Sequence, residues 1–209
     1  PAVPLDHPQL NFFIKQGNKI KKRAVVLGEI TKETVVFAIA GTHGKTTTAS
    51  FLTHYFAYLN LEFTAFLGGI MIEYQSNLVQ KGKKYSIVEA DEYDRSFLQL
   101  FPDYACITAM DADHLDIYGD HKNIKKAYNQ FSKRVKHKVV VAKDLDIEAC
   151  CYALEDHANY RAEAIRVEGQ GYRFDLVCPT QTYKNIYLRA MGRHNLSNAI
   201  GALAILDLG

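Results

Sequence analysis

Seven residues, Gly41-Thr42-His43-Gly44-Lys45-Thr46-Thr47, carry the strongest chemical signal in the chain. They follow an apolar, β-branched run over residues 34–40 and precede a helix-like stretch over 45–59. A glycine-bounded turn between strand and helix aims backbone N–H groups at one point, and the helix dipole adds partial positive charge there. Lys45 is placed to reach the β- and γ-phosphates of a nucleotide, and the Thr46 hydroxyl to hold Mg²⁺. The usual spacing, G-x-x-x-x-G-K-[ST], would put its first glycine at position 39, which is Ile39. A bare G-K-T also occurs by chance in turns. The context separates the two cases: a buried strand lies before it, and a helix with Phe51, Leu52, Tyr55, Phe56 and Leu59 on one face lies after it.

Three more constellations sit at the ends of apolar runs. Glu89-Ala90-Asp91-Glu92 with Asp94 puts four carboxylates into six residues, which repel one another unless a cation or basic groups neutralise them. Open α/β sheets bind ligands outside the carboxyl ends of their strands, so a carboxylate there, beside a phosphate loop, is placed to hold Mg²⁺. Glu89, nearest the strand, is the first candidate, with Asp91 and Glu92 behind it. Asp113-His114-Leu115-Asp116 follows another apolar run, and a neutral His114 imidazole is able to take a second divalent ion. In Gly192-Arg193-His194-Asn195-Leu196-Ser197-Asn198-Ala199, Asn195 and Asn198 fall on one helix face. Their carboxamides suit the edge of an adenine ring, and Asn195 equally suits a helix cap.

The elements that must hold these groups follow from periodicity. Strands are expected over residues 34–40, 63–67, 85–88, 104–110 and 138–142, and helices over 45–59, 123–135 and 147–154, with a short helix over 7–16. Strands alternating with helices predict an α/β fold with a mostly parallel, P-loop-type sheet flanked by helices. After about residue 158 the pattern changes. Short strand-like runs over 164–167, 172–177 and 185–188, punctuated by Gly169-Gln170-Gly171 and Pro179-Thr180, predict a small antiparallel β ribbon before a final helix over 196–206.

Composition bounds what such a chain does. The 209 residues are 48% hydrophobic, enough for one sizeable α/β domain or one domain plus a small appendage. Net charge is +2, from 25 basic and 23 acidic residues, which gives no bulk electrostatic pull on nucleic acid. The basic runs over residues 19–23 and 81–84 read as solvated surface. Cys106, Cys150, Cys151 and Cys178 form no C-x-x-C pair, and free, mostly buried thiols are expected. No long apolar run suggests a membrane span, so a soluble cytoplasmic protein is expected.

Taken together, the loop at Gly41–Thr47, Glu89-Ala90-Asp91-Glu92, Ala112-Asp113-His114-Leu115-Asp116 and Gly192-Arg193-His194-Asn195-x-x-Asn198-Ala199 resemble the signatures of the Mur ligase family of peptidoglycan synthesis, in the family's order. The resemblance implies an ATP- and Mg²⁺-dependent amide ligase working through an acyl phosphate. It implies that residues 34–209 are the central ATP-binding domain, that residues 1–33 are the tail of an N-terminal domain and a linker, and that the outer domains are missing. The whole loop from Gly41 to Thr47, with His194, Asn195 and Asn198, would bind the nucleotide. Lys45, Glu89 and His114 would be catalytic, with Thr46 and Glu89 on one metal and His114 on a second. The forms G-T-H-G-K-T-T, E-A-D-E-x-D and A-D-H-x-D-x-Y are similar to the branch joining L-alanine to UDP-N-acetylmuramate. The branch that attaches a whole tripeptide to the same sugar nucleotide is the runner-up, and a nucleotide-binding module without ligase activity is the third reading. Several relatives carry a carbamylated lysine about fifteen residues after the histidine. Asn129 and Gln130 stand there instead, as in the alanine-adding branch.

Overall fold

The structure is a computed structural model that describes residues 3–4, 6–111, 118 and 120–209. Two helices come first, α1 (Pro8–Lys15) and α2 (Arg23–Thr31), then β1 (Val35–Ala40) and α3 (Lys45–Tyr58). A hairpin of β2 (Phe63–Met71) and β3 (Ser76–Gln80) leads to β4 (Tyr85–Ala90) and a 3-10 segment (Tyr93–Gln99). β5 (Tyr104–Ile107), α4 (His121–Ser132), β6 (Lys138–Ala142) and β7 (Cys150–Leu154) follow. β8 (Tyr160–Glu168), β9 (Gly171–Val177), β10 (Thr182–Leu188) and α5 (Arg193–Leu208) complete the chain.

Among the described residues ten strands form one sheet in the order β10-β9-β8-β7-β6-β5-β1-β4-β2-β3. The block from β8 to β2 is parallel throughout, and the two ends are antiparallel. β1 lies between β4 and β5, with Ile39 level with Glu89 and Ala40 level with Ile107. The carboxyl ends of these three strands therefore open onto one edge of the sheet, on either side of the loop after β1. That is the switch point where such sheets bind ligands.

β1 is buried on both faces, which is why it reads as a continuous apolar run. Phe37 and Ile39 face one way, into a core shared with Leu52 and Phe56 of α3 and Leu196 and Ile200 of α5. Val36, Ala38 and Ala40 face the other way, toward Phe97 of the 3-10 segment and Tyr128 and Phe131 of α4. Each such large side chain, fully buried, contributes ~1.5–3 kcal/mol. Phe97 is fully buried and stacks on Phe131 with ring centroids 4.9 Å apart, which clamps the segment just after Glu92.

Several expectations change. Residues 147–154 are not a helix: Cys150–Leu154 is strand β7, parallel between β6 and β8. Five residues filling a slot in a covered sheet form a strand whatever their weak helical pattern. The strand expected to reach residue 110 ends at Ile107, where the chain turns under the loop. β2 continues through Gly68 and Gly69 to Met71 because β3 pairs with it. Helix α2 was not foreseen, since Val25, Val26, Ile30 and Thr31 are β-branched and packing on the 3-10 segment overrides their propensity. The C-terminal ribbon begins at Tyr160 rather than 164. The first residues of β8 pair in parallel with β7 on one side and antiparallel with β9 on the other, and the β8–β9 ladder shifts register around Ala164, φ 51°, so the ribbon extends the main sheet.

Candidate active site

The loop after β1 is built around two left-handed glycines. Gly41 has φ 141° and Gly44 has φ 80°. A Cβ on Gly44 would stand 2.5 Å from Asn198 Oδ1, so only glycine lets α5 pack this closely beneath the loop. α3 starts directly after Gly44, and no side chain caps it. Its first-turn N–H groups thus lack helical acceptors, which is the condition for an anion site. The loop is fastened to the end of β5: the Thr42 N–H donates to the Ala109 carbonyl at 3.2 Å, the Asp111 N–H donates to Thr42 Oγ1 at 3.1 Å, and the Thr108 hydroxyl bonds the His43 carbonyl.

The expected residues fall into two groups. Thr46 Oγ1 donates to Glu89 Oε2 at 3.0 Å, and the Gly68 N–H donates to Glu89 Oε1 at 2.6 Å. A hydroxyl and a carboxylate oriented toward one point are hard oxygen donors of the kind that hold Mg²⁺, so the side chains present fit that ion. Lys45 turns instead to the second glutamate. Its Nζ donates to Glu92 Oε1 and Oε2 at 3.0 and 2.9 Å and to the Gly41 carbonyl at 2.6 Å. Glu92 is 2% exposed. The Tyr118 hydroxyl donates to the Glu92 carbonyl at 2.5 Å. Burial, reinforced by the Glu92 charge, pushes that hydroxyl up to about 12, so it remains a donor.

The other expected residues lie around the loop. His43 is exposed, with Nε2 3.5 Å from Asp111 Oδ2, and Thr47 lies in the first turn of α3. Asn198 is buried against Gly44, while Asn195 is not a cap: its Nδ2 donates to the Met191 carbonyl at 2.7 Å, outside the helix. His194 is exposed beside Gly192. Residues 112–117, including His114, lie outside the described residues. Asp111 and Thr108 were not singled out from the sequence, although their place at the end of the same apolar run as His114 was the available signal. Beside the loop opens a cleft of about 710 Å³, lined by Arg23 and Ile30 of α2, Phe66 and Leu78 of the hairpin, and Lys45, Glu89 and Asp91.

Fold and loop together define a P-loop-type nucleotide-binding domain. The profile of the Mur ligase middle domain matches residues 39–206, and the chain belongs to that family. It is 47% identical over 207 residues to the UDP-N-acetylmuramate–L-alanine ligase of Flavobacterium psychrophilum, covering 98% of this chain and 46% of the relative. The crystal structure of the UDP-N-acetylmuramate–alanine ligase of Thermotoga maritima superposes with TM-score 0.87 at 26% identity, over 99% of this chain and 49% of that one. A MurF ligase of Thermotoga maritima, in complex with ADP, shares the fold with TM-score 0.68 at 16% identity, over 90% of this chain and 52% of that one. The chain spans about half the length of the curated relatives it matches. Among the described residues no helix is long and apolar enough to cross a membrane.

Proposed function

We propose that this chain is the ATP-using part of a cytoplasmic ligase that joins L-alanine to UDP-N-acetylmuramate. Residues 34–209 are assigned to the central domain, residues 1–33 to the end of a preceding domain and its linker, and the remaining grip on the sugar nucleotide and amino acid to further domains. The observation that carries the reading is the meeting of Thr46 and Glu89 at 3.0 Å beside the loop where Lys45 stands. The alanine-adding relatives, at identities up to 47%, support the choice of amino acid.

In this reading the muramoyl carboxylate attacks the γ-phosphorus of ATP, ADP leaves, and the amine of L-alanine displaces phosphate from the acyl phosphate to form the amide. The loop N–H groups and the α3 dipole receive the phosphate oxygens, and the Lys45 ammonium offsets charge on the transferring phosphoryl group. Thr46 and Glu89 would hold Mg²⁺, which would supply positive charge to offset that of the phosphates, and His114 is assigned to a second ion. Asn195 and Asn198, with His194 beside them, are assigned to the adenine end, and Asn198 also supports Gly44. His43 and Thr42 hold the loop to Asp111.

The test is phosphate release by the full-length enzyme with UDP-N-acetylmuramate, offered L-alanine or the tripeptide L-alanyl-γ-D-glutamyl-meso-diaminopimelate. Turnover with L-alanine alone is expected. Turnover only with the tripeptide would make the chain part of a recycling ligase, and nucleotide binding without turnover on either would leave a binding module.

A further inference from the structure

The Lys45–Glu92 pair is a feature of the loop edge that the phosphate-binding reading does not use. Glu92 lies three residues beyond Glu89, past the end of β4, where the chain leaves the sheet for the 3-10 segment. Two consecutive left-handed residues, Asp94 (φ 51°) and Arg95 (φ 54°), make that turn. Non-glycine residues hold such a conformation only where the surroundings impose it. Three ties do so here. Lys22, just before α2, bonds Asp94 at 2.6 Å; the Arg95 N–H donates to the Glu92 carbonyl at 2.9 Å; and the Phe97 N–H donates to the Asp91 carbonyl at 2.8 Å. The buried ring of Phe97 anchors the far end.

The product of this strained turn is a carboxylate 2% exposed, with both oxygens on one ammonium. An exposed lysine side chain samples many rotamers. This one is fixed between Gly41 and Glu92, with 18% of the side chain still exposed.

We infer that Glu92 is the positioning residue for Lys45: its buried carboxylate fixes the ammonium at the mouth of the phosphate loop, so that the charge is in place before the phosphoryl group moves. The inference rests on the reading of Lys45 as the group that faces the transferring phosphate. Glu92 acts through the lysine, and it is a support rather than a competitor of the phosphates, because a carboxylate held in the protein by the turn and by Phe97 does not follow the ammonium outward. An ammonium has three donors, and the two Glu92 oxygens and the Gly41 carbonyl are the three acceptors that fix it.

The experiment is steady-state kinetics of the full-length ligase, as wild type, Glu92→Gln, Glu92→Asp and Lys45→Met, with nucleotide affinity and melting temperature measured beside it. Glu92→Gln keeps the length and one acceptor and removes the charge. It is expected to lower kcat at least tenfold while KM for ATP changes less than threefold, with Glu92→Asp recovering part of kcat. A structural defect alone would lower melting temperature and the active fraction, so kcat is referred to the fraction that binds nucleotide, and on that basis a structural defect leaves it unchanged. Should Glu92→Gln fail to fold, Glu92→Asp decides: its carboxylate, one methylene shorter, is expected to lower kcat without raising KM in proportion. Unchanged kcat in the folded variant, or tighter ATP binding with unchanged kcat, would overturn the inference. If Lys45→Met also turns over normally, the reading of Lys45 has failed; if Lys45→Met is inactive and Glu92→Gln is normal, only the positioning role has.

Discussion

Acid–base pairs occur on the antiparallel ribbon and at the middle of this sheet, and they differ in what surrounds them. On the ribbon of β8, β9 and β10, Arg161 meets Glu163 at 2.6 Å and Lys184 meets Asp175 at 2.8 Å, with Lys184 69% exposed. At the carboxyl ends of β1 and β4, Lys45 meets Glu92 at 2.9 Å, with Glu92 2% exposed. The distances are alike. Water screens the ribbon pairs, which then hold little beyond their own side chains. At the loop edge burial strengthens the interaction and makes either partner costly to lose. A charged pair becomes a device for placing one ammonium only where the fold removes it from solvent, and the fold does so beside the phosphate loop.

The largest effect that would break this contrast is on catalysis. Lys45→Ala in the full-length ligase is expected to reduce phosphate release by at least about 10²–10³-fold, the scale of losing one charge-stabilising group from a phosphoryl-transfer site. Near-normal turnover would remove Lys45 from the mechanism.

The next effect is on the loop. Gly44→Ala forces a Cβ to within 2.5 Å of Asn198 Oδ1 at φ 80°. It is expected to cost at least about 1 kcal/mol of stability in a denaturant titration. It is also expected to weaken ATP binding, because the N–H groups at the start of α3 move with it.

The smallest effect belongs to the ribbon. The Lys184 hydrogen bond holds the Asp175 carboxyl below its ordinary value of 3.8. A depressed folded value gives stability that is present above 3.8 and fades as pH falls through the folded value. The pair lies at the surface, with Lys184 69% and Asp175 20% exposed, so Lys184→Ala is expected to leave melting temperature at pH 7 and turnover nearly unchanged, with a slight difference only in acid. A large loss on Lys184→Ala would erase the contrast between the two regions.

The same two regions show what could be read from the chain alone. β1, the loop and α3 were legible because each is dictated locally, by an apolar run, two glycines and a helical face. The Thr46–Glu89 approach followed from one rule about strand ends in parallel sheets. The partner of Lys45 was not legible. Glu92 reaches it through a left-handed turn at Asp94 and Arg95, and neither residue type announces that conformation. β7 was hidden because its apolar run, Cys150–Leu154, is too short for periodicity to separate strand from helix. α2 was hidden because its β-branched residues are helical only against the 3-10 segment. For Glu92 and α2 the deciding contact is distant in sequence, and for β7 it is the pairing with β6 and β8.

The central claim is that Thr46 and Glu89 make the strand ends of β1 and β4 a magnesium-dependent ATP site. Calorimetric titration of ATP into the protein, with Mg²⁺ and then with EDTA, tests it most directly. Wild type is expected to bind at least about tenfold more tightly with Mg²⁺, and Glu89→Gln to lose that gain while still binding metal-free ATP. A Glu89→Gln variant that keeps the full magnesium effect would contradict the claim.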